Sequence, residues 1–131
     1  MTMYRDLQKL DRQPFQDTID TAFFFPGAGR RDVVDEIKTA ISQSVPLLLV
    51  TADEGSGKTM VCRMVEEELP PGIISVFLPQ AINSFDDMAI VVRQEIGLDL
   101  EEDGEETGTA GLLEKNVGTL REQNCRLVVF F

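Results

Sequence analysis

Eight residues, Ala52-Asp53-Glu54-Gly55-Ser56-Gly57-Lys58-Thr59, constrain this chain more than any others. They directly follow a continuous apolar run, Leu47-Leu48-Leu49-Val50, and precede Val61, Met64, Val65 and Leu69 at helical spacing. A buried strand, a glycine loop and a helix in that order make a phosphate-binding P-loop, whose pattern is Gly, four residues, then Gly-Lys-Ser/Thr. Ala52 departs from the first position, which asks only that a β-carbon fit at the strand end; Gly57-Lys58-Thr59 keep the rest. Gly55 and Gly57 permit backbone conformations that turn successive N–H groups toward an anion. The start of the next helix adds unpaired N–H groups and a positive dipole end. Lys58 is expected to reach the β- and γ-phosphates of a nucleoside triphosphate, and the Thr59 hydroxyl to ligate Mg²⁺. The expected cradle is the backbone amides of Glu54, Gly55, Ser56, Gly57, Lys58, Thr59 and Met60. Asp53 and Glu54 themselves read as solvated acids.

The rest of the chain alternates strand and helix signals. Residues 1–29 carry Pro14, Pro26, Gly27 and Gly29 and read as an irregular lead-in, in which Phe23-Phe24-Phe25 must be buried against something. From Asp32, the positions Val33, Val34, Ile37, Ala40 and Ile41 predict a helix that Pro46 stops. Pro70-Pro71-Gly72 ends the helix after the loop, and Ile73 to Leu78 predict a second buried strand. Ser84 with Asp87 resembles a capping box. It opens a helix whose inner face is Phe85, Met88, Ala89, Val92 and Ile96, with Gly97 at its C-terminal end. Residues 99–106 hold six carboxylates without the alternating ligand spacing of an EF-hand, so they read as a solvated loop. Leu113, Val117 and Leu120 predict a last helix, and 127–131 a third buried strand. Strands alternating with helices place the chain in the α/β class with a mostly parallel sheet.

Composition excludes several function classes. Net charge is −11, a field that repels phosphate backbones, so direct nucleic-acid binding is not expected. No stretch approaches 18 apolar residues, and the polar N-terminus has no signal-peptide core, so membrane contact is not expected from this segment. The chain has no histidine, which removes Ser–His and Cys–His hydrolase chemistry. Cys62 and Cys125 lack metal-type spacing and read as reduced thiols in or near the core.

P-loop enzymes also place an acid at the end of a second buried strand and need a group that orients the attacking water. The run 127–131 has the character of that strand and stops where the acid is expected. The sequence is therefore expected to be the N-terminal portion of a larger ATPase, with hydrolysis belonging to the intact protein. The order Tyr4-Arg5-Asp6-Leu7, Pro14-Phe15, Phe23-Phe24-Phe25, Leu48-Leu49-Val50-Thr51-Ala52 and the P-loop resembles the AAA+ ATPases of the ExeA type. These are the general secretion pathway protein A proteins associated with type II secretion. Phe77-Leu78-Pro79-Gln80 and Glu95-Ile96-Gly97-Leu98 also resemble that family.

The resemblance implies a P-loop NTPase (AAA+/ASCE) three-layer sandwich, truncated before the Walker B acid, with 1–29 as lead-in and 30–131 as a partial core. It implies ATP and Mg²⁺ as ligands, and a homo-oligomer or a secretion-system partner protein. The implied location is the cytoplasm, with inner-membrane association through a C-terminal region beyond this sequence. Its sheet order, 5-1-4-3-2, sets 47–51 beside the fourth and fifth strands and leaves 127–131 to contact it only through the fourth. Such a piece is expected to have open edges and marginal stability. Phe23 to Phe25 would wall an adenine pocket or simply fill core. Arg30 and Arg31 would touch phosphate or a partner, or remain solvated. A related branch regulates DNA transposition, which gives an alternative reading that the acidic composition disfavours. A third is a fragment without hydrolytic activity.

Overall fold

The computed structural model describes Lys9 and residues 18–78, 82–97 and 108–131. The patterns at 4–7 and 14–15, residues 79–80, Leu98 and the acidic stretch 99–106 lie outside the described residues. The chain divides into two compact units, 1–68 and 69–131.

In the first unit a one-turn 3-10 helix, Thr21–Phe23, is followed by α1 (Arg30–Ser42) and α2 (Lys58–Glu67). The Asp20 carboxylate caps the short turn by accepting from the Ala22 amide at 2.9 Å. Helix α1 stops before Pro46 through a Schellman closure. The Ser44 amide donates to the Ile41 carbonyl and the Val45 amide to the Ala40 carbonyl, both at 3.0 Å. That closure holds Ser44 at φ 58, a left-handed conformation that costs a residue with a β-carbon roughly 1–2 kcal/mol. The two helices pack together, and Val34, Ile37, Val61 and Val65 are this unit's buried apolar residues among those described. Their spacing is the helical one read from the sequence.

An ion cluster ties the end of α2 to α1. The Arg31 guanidinium donates from Nη1 and Nη2 to the two carboxylate oxygens of Glu68 at 2.6 and 2.8 Å. Lys38 adds a bond of 2.7 Å to the same carboxylate, and Asp35 accepts from Arg31 at 3.0 Å. The bonds from Arg31, then those from Lys38, hold the Glu68 carboxyl down to about 2, from an ordinary value of 4.5. Conversely, Glu68 and then Asp35 raise the pKa of Arg31.

Two expectations fail in this unit. Residues 47–51 are not a strand: Leu47, Leu48 and Leu49 are 71%, 47% and 82% exposed. A strand requires a hydrogen-bonded neighbour, and none of the described strands pairs with this segment. The aromatic run is not core either, since Phe23 and Phe25 are exposed.

The second unit contains β1 (Ile73–Phe77), α3 (Phe85–Glu95), α4 (Thr109–Glu122) and β2 (Arg126–Phe130). The strands pair in parallel, with Ile73 opposite Arg126 and Phe77 opposite Phe130. A parallel pair needs a long crossover, which the segment holding α3 and α4 supplies. The ladder extends beyond both strands, through Arg126 N–H to the Gly72 carbonyl and Leu78 N–H to the Phe130 carbonyl, each 2.8 Å. In-register Phe77 and Phe130 stack with ring centroids 4.5 Å apart. This adjacency of 73–78 and 127–131 is the one the sheet order implied.

Ser84 caps α3 by accepting from the Asp87 amide at 3.1 Å, and the Gly97 amide closes its far end on the Gln94 carbonyl. Helix α4 ends in a second Schellman closure, with Asn124 in the left-handed position and the Cys125 amide on the Leu120 carbonyl. Val76, Ala89, Val92 and Leu120 are buried. Arg93 is also buried, its Nε without a partner among the described residues. Here the expectation of doubly buried strands is corrected: most strand positions are half-buried, and Phe131 lies past β2, 90% exposed. Phe85, expected on the inner face, is 53% exposed because it occupies the first position of its helix.

Two stability predictions follow from the first unit. Ser44→Gly relieves the left-handed strain and is expected to stabilise by up to about 1 kcal/mol, read as a raised Tm. Glu68→Gln is expected to lower the Tm by a few degrees at pH 7. Because folding lowers the Glu68 pKa, its contribution is present above 4.5 and lost as pH falls toward 2. The gap between the two proteins should therefore narrow over that window in circular-dichroism melts; a gap independent of pH would refute the ion cluster.

Candidate functional site

Residues 52–59 form a turn that opens directly into α2. The Ser56 amide donates to the Asp53 carbonyl at 3.2 Å, and Gly55 and Gly57 take the left-handed conformation at φ 72 and 96. These are angles that residues with a β-carbon rarely adopt, which explains glycine at both positions. Ala52 has no such angle, so alanine in place of the usual leading glycine carries no conformational cost.

The first rung of the α2 ladder is the Val61 amide on the Gly57 carbonyl, at 3.0 Å. The amides of Lys58, Thr59 and Met60 lie ahead of it, in the turn that an α-helix leaves unsatisfied. No hydrogen-bond acceptor among the described residues takes these three, nor the amides of Glu54, Gly55 and Gly57. Ser56 is the exception within the cradle read from the sequence, because its amide closes the turn. Six consecutive or near-consecutive donors thus stand open around two left-handed glycines, at the positive end of a helix. Such a nest suits an anion.

Lys58 is the first residue of α2, and its ammonium folds onto the loop. Nζ donates to the Ala52 and Asp53 carbonyls at 2.7 and 2.9 Å, joining the start of the loop to the start of the helix. An ammonium has three donors, so one is left over. Thr59 is exposed, and its hydroxyl has no hydrogen bond among the described residues, leaving its oxygen open to a hard cation such as Mg²⁺. Asp53 and Glu54 are exposed, as solvated acids would be. The Ser56 hydroxyl is buried and has no partner among the described residues.

One neighbour of the loop had only a weak signal in the sequence. Arg30, at the first position of α1, donates from Nε to the Ser56 carbonyl and from Nη1 to the Gly27 carbonyl, both at 3.4 Å. An arginine opening the helix before a P-loop was visible, but its contact joins residues 26 positions apart. Cys62, four residues beyond Lys58, is half-buried, and burial pushes its thiol up, which makes it a poor nucleophile.

The sequence model of a family described as "AAA domain" matches residues 41–130, from the end of α1 through the loop to the end of β2. No curated protein and no solved structure matches the chain. A match over more than half of the sequence, centred on an intact Gly-Lys-Thr loop, places the protein in the AAA domain family of P-loop, nucleotide-binding ATPases.

Proposed function

We propose that the protein binds ATP with Mg²⁺ at Glu54, Gly55, Ser56, Gly57, Lys58, Thr59 and Met60, as the nucleotide module of an AAA+ ATPase. The observation that carries this reading is the set of unpartnered amides of Glu54, Gly55, Gly57, Lys58, Thr59 and Met60 around the two left-handed glycines. They donate to the α- and β-phosphates. Lys58 exchanges its two loop carbonyls for phosphate oxygens, and the Thr59 hydroxyl ligates the cation. Mg²⁺, when bound, neutralises charge on the transferring phosphoryl group. Phe23 and Phe25, exposed in the same unit, are available to stack on the base.

The order of motifs that resembles the ExeA type supports assigning the ATPase cycle to assembly of a secretion or envelope structure, from the cytoplasmic side. Among the described residues no helix is long and apolar enough to cross a membrane. The net charge of −11 weighs against a DNA-bound regulator.

Titration of the protein with a fluorescent ATP analogue and Mg²⁺ tests the site. Lys58→Ala removes a charge-assisted contact and is expected to weaken binding by about ten- to a hundredfold, corresponding to roughly 1.5–3 kcal/mol. Equal affinity in wild type and variant would remove residues 52–59 from any account of nucleotide binding. Thr59→Ala is expected to reduce the gain in affinity that Mg²⁺ confers while leaving Mg²⁺-free binding close to wild type.

A further inference from the structure

The contact between Arg30 and the loop carries an inference that rests on the nucleotide-binding reading and extends it. Arg30 lies ahead of residues 41–130, where the family match begins. Its Nε reaches the Ser56 carbonyl, and a β-carbon built on Gly57 would stand 3.9 Å from that same nitrogen. The guanidinium therefore sits against the Ser56–Gly57 peptide itself. The chain has no cis peptide bond among the described residues. In a trans peptide the carbonyl and the following N–H point to opposite sides of the chain. A donor on the Ser56 carbonyl thus fixes the Gly57 amide toward the other side.

We infer that Arg30 is a positioning residue of the phosphate site, holding the Ser56–Gly57 peptide so that the Gly57 N–H faces the phosphates. Three observations converge on it. Gly57 at φ 96 lacks the steric restraint of a β-carbon, so this peptide needs an external hold. The Ser56 hydroxyl cannot supply one, since it makes no hydrogen bond. Arg30 is itself anchored, by Nη1 on the Gly27 carbonyl and by its place at the start of α1. Direct contact between Arg30 and the phosphate held by Gly57 is not part of the assignment, because the peptide stands between them.

The backbone amides of a P-loop cradle the α- and β-phosphates, so a bracing role affects ADP and ATP alike. The test titrates the full chain with Mg²⁺·ADP and Mg²⁺·ATP in wild type, Arg30→Met, Arg30→Lys and Lys58→Ala, and melts each protein without nucleotide. Arg30→Met is expected to weaken both nucleotides by the same factor, about tenfold. Arg30→Lys, which keeps a donor without the planar fork, should recover part of the loss. The Gly57 amide resonance of the nucleotide-free protein should move in Arg30→Met and return toward wild type in Arg30→Lys.

Unchanged affinity in Arg30→Met, with Lys58→Ala impaired, would overturn the inference and leave the nucleotide site standing. Unchanged affinity in both would remove the site itself. A loss confined to ATP would mean that Arg30 touches the γ-phosphate, and would overturn the bracing role. So would a lowered nucleotide-free Tm that Arg30→Lys does not restore and that accounts for the lost affinity, since that is a purely structural contact.

Discussion

A helix cannot satisfy the amides of its own first turn, and the first unit is arranged around that constraint. A side-chain cap is one way to meet it, as α3 does with Ser84, whereas α1 and α4 open on Gly29 and Gly108 without one. At the start of α2 the residue in the capping position is Gly57, which has no side chain to offer. The turn before it adds further open amides instead of covering those already there. An arrangement that leaves donors free is stable in water only because the segment is largely exposed; burial without a ligand would cost the desolvation of each donor. The same exposure keeps the nest accessible. The lysine, folded on the Ala52 and Asp53 carbonyls, closes the loop without occupying the amides.

The second unit depends on a different constraint, that a parallel pair must be bridged by a long connection. Between β1 and β2 the chain has room for two helices, and Val76, Ala89, Val92 and Leu120 are buried in this unit. The apolar run 47–50 lacks what those strands give each other. Its leucines are suited to burial on both faces of a sheet, yet with no paired neighbour among the described residues they stay exposed. An exposed apolar row of this kind is unusual on a soluble surface. The parallel pairing of 73–77 with 126–130 lies wholly within the second unit.

What was legible in the sequence was local. Gly-Lys-Thr after a turn fixed the loop, Ser84 with Asp87 fixed the start of α3, and helical spacing found Val34, Ile37, Val61 and Val65. Each of these signals acts over fewer than about ten residues. What failed was pairing at a distance. Hydrophobicity named 47–51 as a strand but carried no information on whether a partner strand lay beside it. Three consecutive phenylalanines suggested burial, yet two of them remain exposed. The contacts of Arg31 and Lys38 with Glu68 and of Arg30 with Ser56 join residues 37, 30 and 26 positions apart. No periodicity reports such contacts, because each depends on how α1 lies against α2.

The electrostatics sharpen the role of the few cations near the loop. A chain of net charge −11 repels a triphosphate at long range, but at physiological salt that field fades over about 8 Å. Within contact distance the balance is set by open N–H groups, the helix dipole and Lys58, whose strength does not depend on net charge. Arg31 and Lys38, by contrast, are engaged by Glu68. Arg30 spends its bonds on neutral carbonyls and makes no ion pair among the described residues. Two cations thus touch the same short loop, Lys58 at its helix start and Arg30 at the Ser56 carbonyl. Asp53 and Glu54 lie in the same loop, so the preference for an anion rests on the open amides and the helix start rather than on net local charge.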